Sequence, residues 1–383
     1  MAGIYIHIPF CKQACFYCNF HFSTSLKDRD RMVADLLKEI GWRTQKEKEP
    51  LCGMTLPEKS QIETVYFGGG TPSILAAEEI DSLLRSIYKH YNVSQDAEIT
   101  LEANPDDISE DKLKMWRSTG INRLSIGIQS FFDRDLKWMN RGHDSKQAER
   151  SLLMARDAGF HNFSADLIFG IPGLSDQDWE FNMKKLIDLK VPHISSYALT
   201  VEPKTALKRM IELKKKENVN DAGQARQFKM LMHTMRKAGY EHYEISNFAL
   251  PDFRSKHNSS YWQQKPYLGI GPSAHSFDGN HRYWNMANNP LYMKAMEDET
   301  PIFQMETLTE TMRLNEYIMT SLRTVEGMDF DYVTKKFSPE FNFTIREKLN
   351  KLSANWFSER KDKVVLSEEG ILFTDKISAE LFF

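Results

Sequence analysis

Six short β-type runs, each followed by glycine or polar residues and then by a helical pattern, recur through the first two hundred residues, and this rhythm restricts the fold more than any other feature. The runs cover residues 4–8, 64–67, 98–101, 123–128, 164–169 and 193–199, and each has the apolar and β-branched character of a strand. Helical patterns at 32–43, 77–90, 110–118, 145–158 and 176–189 fall between them. Strands alternating with helices of this length predict parallel pairing through crossovers, hence an α/β fold built as an open, partial (β/α)6 barrel. Barrels of this kind place their sites at the C-terminal ends of the strands. Those positions carry cysteines, glycines, a carboxylate and amides, so six separated segments are expected to share one mouth.

From about residue 307 the rhythm changes. Helical segments at 310–324, 329–337 and 345–356 precede a predicted hairpin of 364–366 with 371–373, turning near Glu369-Gly370, which reads as a small α+β winged-helix-like domain. Its basic residues are interleaved with acids, so packing or covering the site is favoured over nucleic-acid binding. The predicted divisions are a barrel core over 1–240, a connecting segment over 241–300 and the C-terminal domain over 301–383.

The 383 residues carry a formal net charge of -3, which excludes a nucleic-acid-coating chain. The N-terminus lacks a basic, apolar leader, and no apolar run approaches a membrane span, which predicts a cytoplasmic protein with no transmembrane segment. Only four cysteines occur, three of them within eight residues, which suits a metal site in a reducing compartment better than a disulfide scaffold. Cys52 falls in a charged stretch, 46–60, and reads as an incidental loop thiol. The Lys-rich stretch 208–217 reads as a solvated helix face.

Cys11, Cys15 and Cys18 are spaced C-x3-C-x2-C directly after the first strand. Three thiolates on one loop fit an iron–sulfur cluster with one open iron, a zinc site completed by His7 or His21, or bare core thiols. Gly68-Gly69-Gly70-Thr71 after the second strand permits close backbone approach to a ligand. Glu102 ends the third strand and can accept from an ammonium, or cap the next helix. Gln129 suits ribose hydroxyls, and Arg141 suits a carboxylate. Asp166 interrupts an apolar strand, where an unpaired charge would be costly, so a ligand hydroxyl or an ion pair is expected beside it.

The cysteine spacing, with Tyr17 before the last cysteine, resembles the radical S-adenosylmethionine (SAM) superfamily. The resemblance implies a 4Fe-4S cluster on Cys11, Cys15 and Cys18 whose open iron is chelated by SAM. It also implies one-electron cleavage of SAM to methionine and a 5'-deoxyadenosyl radical, chemistry that belongs to the cofactors. From residue 4 to about 205 the motifs, Tyr5-Ile6-His7-Ile8-Pro9-Phe10-Cys11 included, are similar in order and spacing to the coproporphyrinogen III dehydrogenase-like branch. That similarity implies SAM contacts from Tyr5, Gly69, Glu102, Gln129, Arg141 and Asp166, with Tyr17, Gly70, Thr71 and Ala198 beside them.

Two features separate this chain from the dehydrogenase itself. Phe20 stands where that enzyme has a further cysteine, and His257-Asn258-Ser259-Ser260-Tyr261-Trp262 matches the H-N-x-x-Y-W motif of the HemW-type haem chaperones. This resemblance implies that the chain binds haem and passes it to acceptor proteins, among them membrane respiratory enzymes met at the membrane periphery. His257 is then expected as a haem-binding residue. Taken without the resemblance, the motif is a rigid aromatic turn packed on the barrel. Oxygen-independent decarboxylation of coproporphyrinogen III is the alternative, so whether the chain is an enzyme stays open at this point.

Overall fold

The computed structural model describes residues 2–56 and 60–383. Six parallel strands pair in chain order: β1 (Ala2–Ile8), β2 (Gln61–Gly69), β3 (Asn92–Ala103), β4 (Arg123–Gln129), β5 (Asn162–Phe169) and β6 (His193–Ala198). The helices Arg29–Trp42, Ala77–His90, Glu110–Ser118, Ser145–Asp157 and Asp176–Asp188 form the crossovers. Alternation explains the layering. Ile4, Ile6, Val65, Phe67, Ile99, Leu101, Leu124, Ile126, Ala165 and Leu167 are buried in one apolar core with the helices. The intervening residues, among them Tyr5, Tyr66, Glu102, Ser125 and Asp166, give the opposite face its polar groups, three of which line the central cavity.

The sheet does not close. It continues beyond β6 through β8 (Asn247–Ala249) to β7 (Glu241–Glu244), and beyond β1 through β9 (Tyr267–Ile270), β10 (His275–Phe277), β11 (His281–Asn285) and β12 (Phe303–Thr307). Twelve strands thus share one open sheet, and residues 241–307 flank the barrel at both edges.

A buried polar knot fastens the β9–β11 edge to the first crossover helix. Glu39 Oε1 accepts from Arg43 Nη2 at 2.7 Å, and its Oε2 accepts from Tyr292 at 2.6 Å and from the Gly271 backbone at 2.7 Å. Arg43 also donates to Asn285, Met54 and Gly269. Both charged side chains are fully buried.

The C-terminal unit has its own core, including Leu314, Ile318, Phe330, Val333, Ile345, Val364, Ile377 and Leu381. It joins the barrel edge through backbone bonds between Ile245 and Arg323 and between Val325 and Tyr243. Its small sheet runs β13 (Met328–Asp329), β15 (Lys363–Leu366), β14 (Phe357–Glu359). The hairpin therefore precedes the predicted position: β15 pairs back onto β14, and the expected second strand at 371–373 is absent. The reason is a helix start at Ser367, whose side chain caps Gly370, with Glu368 and Glu369 in the first turn. Proline at the first turn likewise moves the third helix to Pro339–Asn350. Cys52 also departs from expectation, because it ends a short helix, Glu49–Cys52, and is fully buried. Residues 57–59 of the stretch read as irregular lie outside the described residues.

Removing one partner of a buried ion pair leaves the other uncompensated. Glu39→Ala should therefore cost about 3–5 kcal/mol in urea unfolding of the full chain; a loss below about 1 kcal/mol would mean the knot is not what fastens the β9–β11 edge.

Candidate functional site

The loop after β1 is folded back by the loop after β4. Phe16 N–H donates to Met139 O at 3.1 Å, Asn140 Nδ2 to Ala14 O at 2.7 Å, and Gln13 Nε2 to Asn140 O at 3.0 Å. Asn140 adopts the left-handed conformation, φ 62°, which turns the chain so that Arg141 enters beside the cysteines. Arg141 donates to Asn104 Oδ1 at 2.7 Å, to Gly127 O at 2.8 Å and to Cys15 Sγ at 3.3 Å. Its Nε is buried without a partner among the described residues.

The loop after β2 passes against the cysteine loop from the other side. Gly70 N–H donates to Ile8 O at 2.9 Å and Thr71 N–H to Phe10 O at 2.7 Å. A side chain at Gly70 would put its Cβ 2.5 Å from Phe10 O, so this crossing admits glycine only. Thr71 Oγ1 then donates to Cys11 Sγ at 3.3 Å and accepts from Asn104 Nδ2 at 3.2 Å. All three thiols are free and partly exposed to one cavity of about 430 Å³. Burial, opposed by the Thr71 hydroxyl and reinforced by the neighbouring thiols, pushes Cys11 up to about 11. Among the described residues, no three Cys, His, Asp or Glu side chains are gathered for a single metal ion.

Glu102 and Asp166 face the same cavity from β3 and β5. Tyr66 donates to Glu102 Oε1 at 2.7 Å. Desolvation raises Glu102 to about 7, with the Tyr66 hydrogen bond opposing the shift and Asp166 adding to it. Asp166 is raised to about 6 by burial, against hydrogen bonds from Ser195 and Ser125. Gln129 lies on the cavity wall with φ 64°, a strained conformation for a residue with a side chain.

Of the fourteen positions singled out in the sequence, twelve line this cavity: Cys11, Cys15, Tyr17, Cys18, Gly69, Gly70, Thr71, Glu102, Gln129, Arg141, Asp166 and Ala198. Tyr5 and His257 do not. Tyr5 sits behind Gly68, its hydroxyl 3.1 Å from His7 Nδ1. His257 is buried beneath the barrel, with Nδ1 2.8 Å from Thr64 Oγ1 and Nε2 2.9 Å from the Tyr261 hydroxyl. Burial, with Arg123 nearby, lowers its pKa to about 3, so the ring is neutral and both nitrogens are spent on hydroxyls. The resemblance led us to expect His257 as a haem-binding residue; in this structure neither of its ring nitrogens is open to an iron. The motif's aromatics, Tyr261 and Trp262, line a separate groove of about 140 Å³ with Lys265, Arg282 and Glu316.

Asn104, Tyr66, Ser125 and Tyr197 belong to the site although sequence reasoning did not single them out as ligand contacts. Period two could have found two of them, since Tyr66 and Ser125 alternate with apolar core positions on their strands.

Residues 5–186 match the family model described as the radical SAM superfamily. A heme chaperone HemW of Lactococcus lactis is 32% identical over 91% of this chain and 88% of its own. A heme chaperone HemW of Bacillus subtilis is 30% identical over 98% of both chains. This chain belongs to the HemW family of radical SAM proteins. Membership implies SAM and a 4Fe-4S cluster as cofactors. A solved structure, described as coproporphyrinogen III oxidase (HemN) from Escherichia coli, superposes with a TM-score of 0.82 over all of this chain and 90% of its own, at 21% identity. HemW-family membership and that likeness place the open barrel and the C-terminal unit in one shared fold.

The raised carboxyls give a pH signature. A carboxyl whose pKa is raised on folding binds more protons folded than unfolded, so its contribution to stability is present below the unfolded value and lost as pH rises through the folded one. In the cofactor-free protein, Glu102→Gln should remove a decline on the order of 3 kcal/mol between about pH 4.5 and 7 relative to the parent. Urea midpoints at several pH values read this directly, and parallel curves for the two proteins would refute it.

Proposed function

We propose that this protein is a haem chaperone: it binds haem, carries a SAM-coordinated 4Fe-4S cluster on Cys11, Cys15 and Cys18, and hands haem to acceptor proteins. The observation that carries the reading is the extent of the similarity. The relatives named heme chaperone align across the barrel and the C-terminal unit alike.

The residues present suit the cofactors. All three thiols lie at the wall of one cavity, where they can be presented to a cluster that takes one cysteine per iron. The Thr71 hydroxyl and the Arg141 guanidinium donate to two of the sulfurs, the kind of outer contact that tunes such a centre. The unpartnered Arg141 Nε and the half-buried carboxylate of Glu102 can take the carboxylate and ammonium ends of an amino acid. Gly69, Gly70, Thr71, Gln129 and Asp166 offer backbone approach, an amide and a hydroxyl acceptor on the same walls, with Tyr17 and Ala198 flanking. In this reading Tyr5 contributes from behind Gly68. When bound, the cluster and SAM supply one-electron chemistry; the chain orients them and shields them.

Phe20, 68% exposed at the cavity mouth, bears on the alternative. The coproporphyrinogen III dehydrogenase would have a cysteine there, and an apolar ring supplies neither a thiol nor a proton. Haem transfer requires no group of that kind. The acceptor is a haem protein, and a membrane-bound respiratory enzyme fits a chain that docks peripherally. No helix among the described residues is long and apolar enough to cross a membrane.

The test is an anaerobic assay on the reconstituted full-length protein. Haem titration should give a saturable Soret band and transfer to an apo-acceptor, while coproporphyrinogen III with SAM and reductant should be recovered unchanged. Accumulation of the three- and two-carboxylate porphyrins would make the chain the dehydrogenase instead.

A further inference from the structure

The polar contacts beneath the cavity form a line that ends on the H-N-x-x-Y-W segment. Glu102 Oε1 accepts the Tyr66 hydroxyl at 2.7 Å. The Tyr66 ring packs against two others: Tyr5 at 6.2 Å between centroids with planes 24° apart, and His257 at 4.8 Å and 21°. His257 is itself immobilised from three directions. Thr64 holds one ring nitrogen, Tyr261 holds the other, and the His257 backbone N–H donates to Glu98 Oε1 at 3.0 Å. The ring is 1% exposed. Thr64 and Tyr66 point to the same side of β2, so one strand presents both the anchor of the imidazole and the ring stacked on it.

We propose that His257 and Tyr66 are positioning residues for SAM, and that the H-N-x-x-Y-W segment acts on the cofactor site from below by fixing the carboxylate of Glu102. This rests on the reading that Glu102 receives the ammonium end of SAM. The physics is that of an oriented acceptor. A glutamate at a strand end has three side-chain torsions to restrain, and a hydroxyl at 2.7 Å restrains it only if the phenol cannot tilt. Stacking on an imidazole held at both nitrogens and through its backbone removes that tilt. Infrequent residues are then required by geometry: a flat ring with two polar edges fills the space between two hydroxyls and a phenol face, and an aliphatic side chain would satisfy none of them.

The experiment uses the full-length, cluster-reconstituted protein and measures SAM affinity by calorimetry, the electron paramagnetic resonance line shape of the reduced cluster with SAM, and haem affinity by absorbance. Glu102→Gln, Tyr66→Phe, His257→Phe and the double variant Tyr66→Phe/His257→Phe are compared. Loss of a hydrogen bond to a charged group should weaken SAM binding about tenfold or more in Tyr66→Phe. His257→Phe should weaken it about threefold, and the double variant should be no worse than Tyr66→Phe, because both act through one carboxylate. The SAM-dependent line shape should change in both single variants, and haem affinity should stay at the parent value in His257→Phe. Thr64→Val, which frees one edge of the imidazole, substitutes for His257→Phe if the latter does not fold. An effect of Glu102→Gln on SAM affinity with none in Tyr66→Phe and His257→Phe overturns the inference and leaves the site reading standing. No effect of Glu102→Gln overturns the site reading itself. Multiplying losses in the double variant, or loss of haem with unchanged SAM affinity in His257→Phe, also overturn the inference.

Discussion

The structure depends on a parallel sheet whose concave side is polar. Parallel sheets are ordinarily apolar on both faces, because helices cover both. Here the helices cover one face with isoleucine, leucine and phenylalanine, while the other carries phenols, carboxyls, a guanidinium and hydroxyls. Each of those groups loses water on folding and must find a partner inside the curve of the sheet or face the cavity. Ser164 donates to Ser125 at 2.9 Å, Tyr66 to Glu102, and Arg123 lies 3.8 Å from Glu98. Groups near the C-terminal strand ends, such as Glu102, Asp166 and Arg141, have fewer partners than they could use. That shortfall is what gives the cavity its capacity to hold a polar ligand.

A second constraint follows at the mouth. Three loops meet there, and their backbones approach until only glycine is admitted at Gly70. Such crossings hold the cysteine loop without a disulfide or a core of its own. The thiols remain free to face the cavity while their loop is fixed by carbonyl and amide bonds to Ser23, Met139 and Asn140. Rigid support with unspent donors is the general condition for a cofactor site.

Legibility in the sequence followed the range of the interactions. The barrel strands and crossover helices could be read because period two and period 3.6 are local, and strand-end residues could be assigned to one mouth because barrel topology converges there. The flanking strands over 241–307 could not, since short runs such as Tyr267–Ile270 owe their place to pairing with β1, at the other end of the sequence. The wing was misplaced because Ile371-Leu372-Phe373 looks strand-like in isolation, whereas Ser367-Glu368-Glu369 before it starts a helix. Cys52 reads as a loop thiol because its neighbours are charged, yet the chain turns it inward onto the main core.

His257 shows the limit most clearly. An imidazole flanked by aromatics is chemically equipped both to ligate iron and to join hydroxyls in a dry interior, and only the three-dimensional partners distinguish the two. With Thr64 and Tyr261 on its nitrogens and Tyr66 across its face, the ring has no remaining valence for a metal. Exposing it would unpair two buried hydroxyls and unstack the phenol that holds Glu102. The segment therefore cannot exchange between serving the barrel and gripping a ligand without disturbing the cavity above it. Any haem contact by its aromatics falls to the outward groove, where Trp262 and Tyr261 stand beside Lys265 and Arg282. Tyr261 has its ring on the groove and its hydroxyl on His257, so the groove connects to the cofactor cavity through a run of side chains, Tyr261 to His257 to Tyr66 to Glu102.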